Sequence, residues 1–183
     1  AVFHERYATN TQPSWELAGG RLGHALREHR DLFLDKSCYS MDWYYPILGG
    51  AVRGPAATAR ITRRWDDFVV DGLGIRCVSD RPWVTGAETC ELVLALDAMG
   101  DRRRATEQFS AMQHLRESDG SYWTGLVFAD GKRWPVERTT WTGAAVILAA
   151  DALSSTTGGS GIFRGAELPR GLEADYDCEC VRN

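Results

Sequence analysis

Three acidic residues of this 183-residue chain lie at or near the starts of apolar segments, where a carboxyl group could act in acid–base catalysis. Asp42 opens one apolar segment, Glu137 precedes another, and Glu88 lies one turn into a third. The dipole at a helix start stabilises a negative charge, whereas burial without a partner raises the pKa of an acid, as a general acid requires. These three are the candidate catalytic residues. The alternative interpretation is that each acid only begins or caps a helix.

Aromatic residues cluster beside these acids, near the starts of the same segments. Aromatic faces attract a developing carbocation, and they also stack on sugar rings, where two carboxylates act as acid and base in glycoside hydrolysis. The alternative is that the rings pack in the core. The candidate substrate-binding residues are Trp43, Tyr44, Tyr45, Trp83, Tyr122, Trp123, Trp134 and Trp141.

Hydrophobic periodicity and capping residues predict the elements that position these side chains. Glycine-centred turns between them are typical of loops, with a small hairpin expected across 126–134. The predicted helices cover 14–29, a run beginning near Ser40, 55–70, 85–100, 101–117 and 138–154.

Apolar and amphipathic helices alternate along the chain, which favours concentric layers. A helix that is apolar on all sides must be covered on all sides, whereas an amphipathic helix lies outside. A Thr-Gly-Ala triplet after a tryptophan occurs at 85–87 and again at 142–144, which indicates a hairpin repeat. We therefore predict an all-α fold, a partial or small α/α toroid over 14–154, with irregular segments at 1–13 and 155–183.

The element Asp119-Gly120-Ser121-Tyr122-Trp123, followed by the tryptophan-headed helix at 138–154, resembles the prenyltransferase and terpene-cyclase-like α/α toroids. The resemblance covers about residues 14–154 as a pattern. It implies a transferase or cyclase acting on an isoprenoid in an aromatic cavity, and this is the first functional hypothesis. The Asp-x-Asp-Asp motif of class II cyclases is absent, and about three hairpins are counted where such toroids have five to seven.

Two alternative functions stay open at this point. The first is a carbohydrate-active toroid, a glycoside hydrolase or epimerase, that pairs Glu137 with Asp42 or Glu88. The second is a non-catalytic binding or scaffold module. No cofactor is evident, and Mg²⁺ is expected only with a diphosphate substrate.

Composition bounds the partners and the compartment. A net charge of -4 and a pI near 5.6 argue against nucleic acid, and no apolar run is long enough for a membrane span. We expect a small-molecule substrate, either an isoprenoid or a sugar, together with self-association or further hairpins of a longer chain. The five cysteines, which include the C-x-C pair Cys178 and Cys180, fit free thiols in the cytoplasm, and no metal site is predicted.

Overall fold

The computed structural model describes residues 12–165, which fall into two compact units. Of the first unit, the described part holds helix α1 (Pro13–Glu28) and a 3₁₀ turn at Arg30–Leu32. The second unit, Asp35–Gly165, contains the remaining elements and every predicted site residue. Its helices are α2 (Ser40–Leu48), α3 (Gly54–Arg63), α4 (Trp65–Phe68), α5 (Gly86–Ala98), α6 (Arg102–Ala111) and α7 (Thr140–Ser154).

Helix α5 is the centre of this unit and packs against α2, α6 and α7. Ten of its thirteen residues are buried, as expected for a helix that is apolar on every side. It ends where Gly100 adopts a φ of 81°. Gly86 allows a close approach to α7, because a Cβ there would lie 3.0 Å from the Thr142 methyl group. The prediction of a mostly apolar helix over this segment is confirmed.

The all-α prediction is wrong, because the unit contains a five-stranded antiparallel sheet in the order β1-β2-β3-β4-β5. The strands are β1 (Val69–Val70), β2 (Gly74–Arg76), β3 (Trp83–Thr85), β4 (Gly125–Val127) and β5 (Lys132–Arg133). In register, Val69 faces Ile75, Arg76 faces Val84, Thr85 faces Gly125 and Val127 faces Lys132. Strands of two or three residues are too short to show an alternating pattern, so the sequence indicated loops. The hairpin expected across 126–134 is present as β4 and β5.

A proline near the end of α2 is accommodated by an arginine of α3. Pro46 has no N–H to donate to the carbonyl of Asp42, four residues earlier. Arg60 supplies the missing donor: its Nη2 donates to the Asp42 carbonyl at 2.6 Å, and its Nε donates to the Trp43 carbonyl at 2.8 Å. Trp43 returns the contact by donating from Nε1 to the Arg60 carbonyl at 3.0 Å. These hydrogen bonds hold α2 against α3.

A buried ion cluster joins the end of α5 to the last described residues. Asp97 accepts from Arg102 Nη1 at 3.0 Å and from Arg164 Nε at 2.7 Å. Arg164 also donates to the Ala152 carbonyl at 2.7 Å, and Arg53 donates to the Phe163 carbonyl at 2.8 Å. Residues 155–165, predicted to be irregular, are thus turns tied to the helical unit.

The remaining predictions about chain organisation fall partly outside the described residues. Within residues 12–165, every helix is too short or too polar to cross a bilayer. The predicted segment 1–13 lies almost entirely outside the described residues, as do the last part of 155–183 and both cysteines of the C-x-C pair. The domain boundaries at 13/14 and 154/155 stay predictions.

Candidate active site

The starts of α2 and α5 are brought together by the segment that precedes β3. The amide of Ser40 donates to the Cys77 carbonyl at 2.9 Å, and the amide of Ser79 donates to the Cys38 carbonyl at 2.9 Å. Tyr39 and Val78 form an isolated antiparallel bridge between these two segments. The side chains of the first turns of both helices can therefore meet.

Where they meet, two glutamates of α5 face two tyrosines of α2. The Tyr44 hydroxyl donates to Oε2 of Glu91 at 2.6 Å, and the Tyr45 hydroxyl also bonds to Glu91. The Cys77 thiol lies 3.7 Å from Oε1 of Glu88. We call Tyr44, Tyr45, Cys77, Glu88 and Glu91 the Glu88–Glu91 cluster. Glutamates three positions apart on a helix have Cβ atoms about 5–6 Å apart.

Burial sets the ionisation of this cluster. It raises the pKa of Glu91 above its usual 4.5; the Tyr44 hydrogen bond opposes that rise, and the negative charge of Glu88 adds to it. Burial and the charge of Glu91 raise the pKa of Tyr45 to about 12 and that of Tyr44 well above 10. The pKa of the Cys77 thiol rises to about 12 through burial and the charge of Glu88. Burial and the charge of Glu88 thus shift the pKa of Glu91 in the direction that a general acid requires, and a second carboxyl group lies one turn away.

The three predicted catalytic residues take different positions. Glu88 lies in the cluster and is half-buried. Asp42 is half-buried in the first turn of α2, with its Oδ2 3.9 Å from Arg60 Nη2. Glu137 is exposed just before α7, and its carbonyl accepts from the Thr124 amide at 3.1 Å. The structure thus places Glu88 in the Glu88–Glu91 cluster, and the catalytic roles of Glu88, Asp42 and Glu137 stay predictions.

Glu91 is the residue that sequence reasoning missed. It follows Glu88 by three positions in a helix that is otherwise almost wholly apolar. Two acids on one face of such a helix indicate polar partners elsewhere in the fold, since a buried acid needs a hydrogen-bonding partner. The partners, Tyr44 and Tyr45, come from another helix and were instead assigned to substrate.

Two of the predicted substrate-binding aromatics are core residues. Trp43 and Tyr44 are both fully buried. The Trp43 ring stacks on Phe68 at 5.2 Å and meets Trp65 edge-on at 6.1 Å. Neither ring is available to a sugar without local unfolding. Tyr45, by contrast, is exposed beside Tyr44, with the ring centroids 5.2 Å apart.

Tyr122 and Trp123 are half-buried and held by polar groups. The Tyr122 hydroxyl donates to Oε1 of Gln113 at 2.9 Å, and Trp123 Nε1 donates to Glu117. The guanidinium of Arg138 lies 4.9 Å from the Trp123 ring centroid and forms an ion pair with Asp119 at 3.1 Å. Asp119 also accepts from the Ser121 amide at 3.0 Å, so the Asp-Gly element is a side-chain-stabilised turn.

Three exposed apolar side chains lie near the start of α7. Trp134 is 54% exposed and packs edge-on against Trp83 at 4.6 Å, and Trp83 Nε1 donates to the Trp134 carbonyl at 2.6 Å. Trp141 is 64% exposed in the first turn of α7, and Val136 is also exposed. We call Trp134, Val136 and Trp141 the exposed aromatic surface. These three residues flank Glu137 in the sequence.

No metal centre accompanies these groups in the part of the chain that the structure describes. There, no three His, Cys, Asp or Glu side chains are placed to hold an ion together. The chemistry available among these side chains is that of carboxyl groups and exposed aromatic rings, which is the combination found at sugar-cleaving sites.

Comparison with known proteins favours that chemistry. No family model matches the chain. The chain is 74% identical over 175 residues to a protein of Mycolicibacterium hassiacum named MMP endo-(1,4)-3-O-methyl-alpha-D-mannosidase. The match covers 96% of this chain but 49% of the relative, so the chain spans about half the length of the curated relative it matches.

This finding overturns the resemblance to prenyltransferases and terpene cyclases. A relative with this identity carries the name of a carbohydrate-cleaving enzyme, and the antiparallel sheet is foreign to an all-helical toroid. The isoprenoid and transferase hypotheses are therefore wrong, and the carbohydrate-active alternative agrees better with the findings. The resemblance misled because the Asp119–Ser121 turn is a local motif that unrelated folds also use.

Proposed function

We propose that this chain forms part or all of a glycoside hydrolase that cleaves 1,4 links between 3-O-methyl-α-D-mannose units. The observation that carries the proposal is the 74% identity to the Mycolicibacterium hassiacum mannosidase across nearly the whole chain. The Glu88–Glu91 cluster also supports the proposal, because hydrolysis of a glycosidic bond uses two carboxyl groups in different ionisation states.

In this proposal Glu91 is the general acid. Burial raises its pKa, which favours the protonated form, and the proton passes to the oxygen of the departing sugar as the glycosidic bond breaks. Glu88, one turn away, acts as the second carboxylate. Asp42 and Glu137 are the remaining candidates for that second role, since Asp42 lies in the first turn of α2 and Glu137 lies just before α7. Comparing Glu→Gln and Asp→Asn variants at these positions distinguishes them.

The exposed aromatic surface is the proposed sugar-binding surface. A 3-O-methyl group replaces a hydroxyl donor by an apolar group, so a methylated mannan offers more apolar area than an unmethylated one. Exposed indole rings and Val136 suit such a ligand, since they provide apolar contact next to the polar Glu137. A preference for the methylated over the unmethylated oligosaccharide is expected from this chemistry.

Two further proposals concern the cofactor and the cellular compartment. The carboxyl groups supply both the acid and the base, so we propose hydrolysis without a metal, and activity should persist in EDTA. We also propose a cytoplasmic location, which is supported by the free thiols of Cys38, Cys77 and Cys90.

The test is hydrolysis of a (1→4)-linked 3-O-methyl-α-D-mannose oligosaccharide, measured as new reducing ends. Because the chain spans about half of its relative, the assay uses this chain and a chimera in which it replaces the matched half of the relative. Activity in either protein, lost in the Glu91→Gln variant, is the expected result. A chimera that folds and yet leaves the oligosaccharide intact would contradict the proposed function. Equal activity in the Glu91→Gln variant would contradict only the role of Glu91 as the general acid.

A further inference from the structure

The outward face of α7 is apolar and uncovered in the unit that contains it. Ile147 is 70% exposed, Leu148 is 46% exposed, and Ala144 is exposed beside them. The spacing of these residues places them on one stripe of the helix. From Thr140 to Ala150 the helix has no charged residue, so the exposed stripe offers water no charged group to solvate.

The composition of α7 is that of a covered inner helix. Helix α5, which is similarly apolar, is buried against neighbours on all sides. Helix α7 buries only the face that carries Thr142, Ala145, Val146, Ala149 and Ala152. Helix α7 packs against α5 and α6, and its exposed apolar face is where a further helix could pack.

We propose that the Ala144–Ile147–Leu148 stripe is the docking surface for helices of the other half of a longer fold. The length comparison identifies the occupant: the relative has a remainder of about the same size as this chain, and the match to this chain does not include it. An apolar helical surface from that remainder would complete the layer that α2, α5 and α7 begin. The inference concerns assembly and does not depend on which reaction the protein catalyses.

The chemistry of the stripe argues for protein rather than sugar. Aliphatic side chains without a hydrogen-bonding group give a sugar no polar partner, in contrast to Trp141 and Trp134 near the helix start. An aliphatic stripe at helical spacing is what a second helix packs against.

The test is the rate at which a cysteine on the stripe reacts with a maleimide. Ile147→Cys is introduced into this chain and into the chimera that carries the remainder of the relative, and labelled peptides are identified by mass spectrometry. The matched control is Ala59→Cys, an exposed position on α3. We expect Ile147→Cys to react at least about tenfold more slowly in the chimera, because burial excludes the reagent, while Ala59→Cys reacts equally in both proteins.

Two results would overturn the proposal. Equal labelling of Ile147→Cys in both proteins would mean that the remainder leaves the stripe uncovered. Slow labelling in this chain alone, together with the mass of a dimer by light scattering, would mean that a second copy occupies it. As a second readout, Ile147→Asp should lower the Tm of the chimera by about 5 °C or more and leave that of the isolated chain unchanged. Ala59→Asp, with the same charge change, should alter neither.

Discussion

The Tyr44 hydroxyl donates a 2.6 Å hydrogen bond to Oε2 of Glu91 from a position 47 residues earlier in the chain. The bond joins α2 to α5, and it holds a carboxyl group of an apolar helix at a fixed point. A phenol with a raised pKa remains a donor throughout the physiological range. The hydrogen bond thereby orients Glu91, and it also lowers the pKa of Glu91 against the larger rise that burial causes.

The first prediction concerns catalysis by this pair. Glu91→Gln should lower kcat for the methylated mannose oligosaccharide by about 10²–10⁴-fold, the usual contribution of a general acid. Tyr44→Phe removes only the orienting hydrogen bond, so its effect on kcat should be smaller. Initial rates with the chimera measure both effects. Glu107→Gln, an exposed change on α6, is the matched control. A Glu91→Gln enzyme as fast as the control would assign the acid role elsewhere.

The second prediction concerns stability and pH. Because the pKa of Glu91 is higher in the folded state than its usual 4.5, the folded chain binds the extra proton between those two values. The free energy of unfolding should therefore fall as pH rises from about 4.5 through the folded pKa. The groups that face Glu91 are Glu88, Tyr44 and Tyr45, and the two phenols titrate only at far higher pH.

Urea unfolding at pH 4 and pH 8 measures this linkage. Glu91→Gln, which has no proton to lose, should be as stable as the wild type at the lower pH and more stable at the higher pH. Glu88→Gln serves as the comparison, because it removes the neighbouring charge but leaves Glu91 to titrate. A constant difference between the Glu91→Gln variant and the wild type across the range would show that Glu91 titrates normally.

The third prediction separates binding tryptophans from core tryptophans. Trp141→Ala should weaken binding of the oligosaccharide by about fivefold, as expected for loss of roughly 1 kcal/mol of ring contact, with little change in stability. Trp43→Ala should cost about 3–5 kcal/mol of stability, because it empties a buried site beside Phe68. Calorimetric titration and urea unfolding of both variants provide the measurements. Unchanged affinity in Trp141→Ala would leave that ring without a binding role.

The fourth prediction uses two glycines with opposite surroundings. A Cβ at Gly125 would lie 2.4 Å from Trp83 Nε1 and 2.6 Å from the Val84 carbonyl, so Gly125→Ala should destabilise the chain by about 2–3 kcal/mol. At Gly143, inside α7, a Cβ meets nothing within 4 Å. Gly143→Ala should stabilise by about 0.5–1 kcal/mol, because glycine is a poor helix residue. Thermal unfolding of the two variants should show shifts of opposite sign.

Helices α5 and α7 could be predicted because their signals are local, whereas the single helix predicted over 55–70 is divided into α3 and α4 and is followed by strand β1. The start of α5 near Thr85, its end before Gly100 and the start of α7 near Thr139 follow from turn residues beside long apolar runs. Strands β1, β2 and β3 could not be predicted, since they have only two or three residues each. The pairing of β3 with β4 also joins segments that are distant in sequence, whereas the local β4–β5 hairpin was expected from its turn.

Only part of the candidate site could be predicted from the sequence, for a related reason. Glu88 is recognisable as an acid in an apolar helix, but Glu91 becomes significant only when Tyr44 from α2 is placed beside it. Likewise, the sequence cannot tell that Trp43 is enclosed by Phe68 and Trp65 while Trp141 is exposed. Burial of an aromatic ring depends on side chains from other helices and strands, and the residues adjacent in sequence do not identify those side chains.

The ion cluster around Asp97 has a consequence for shortened forms of this protein. Asp97 is buried, and Arg164 supplies two of its hydrogen bonds from the far end of the described region. A protease that cuts between α7 and Arg164 would leave Asp97 with the half-exposed Arg102 as its remaining charged contact. The resistant core in limited proteolysis should therefore extend through Arg164, about ten residues beyond the end of α7 at Ser154.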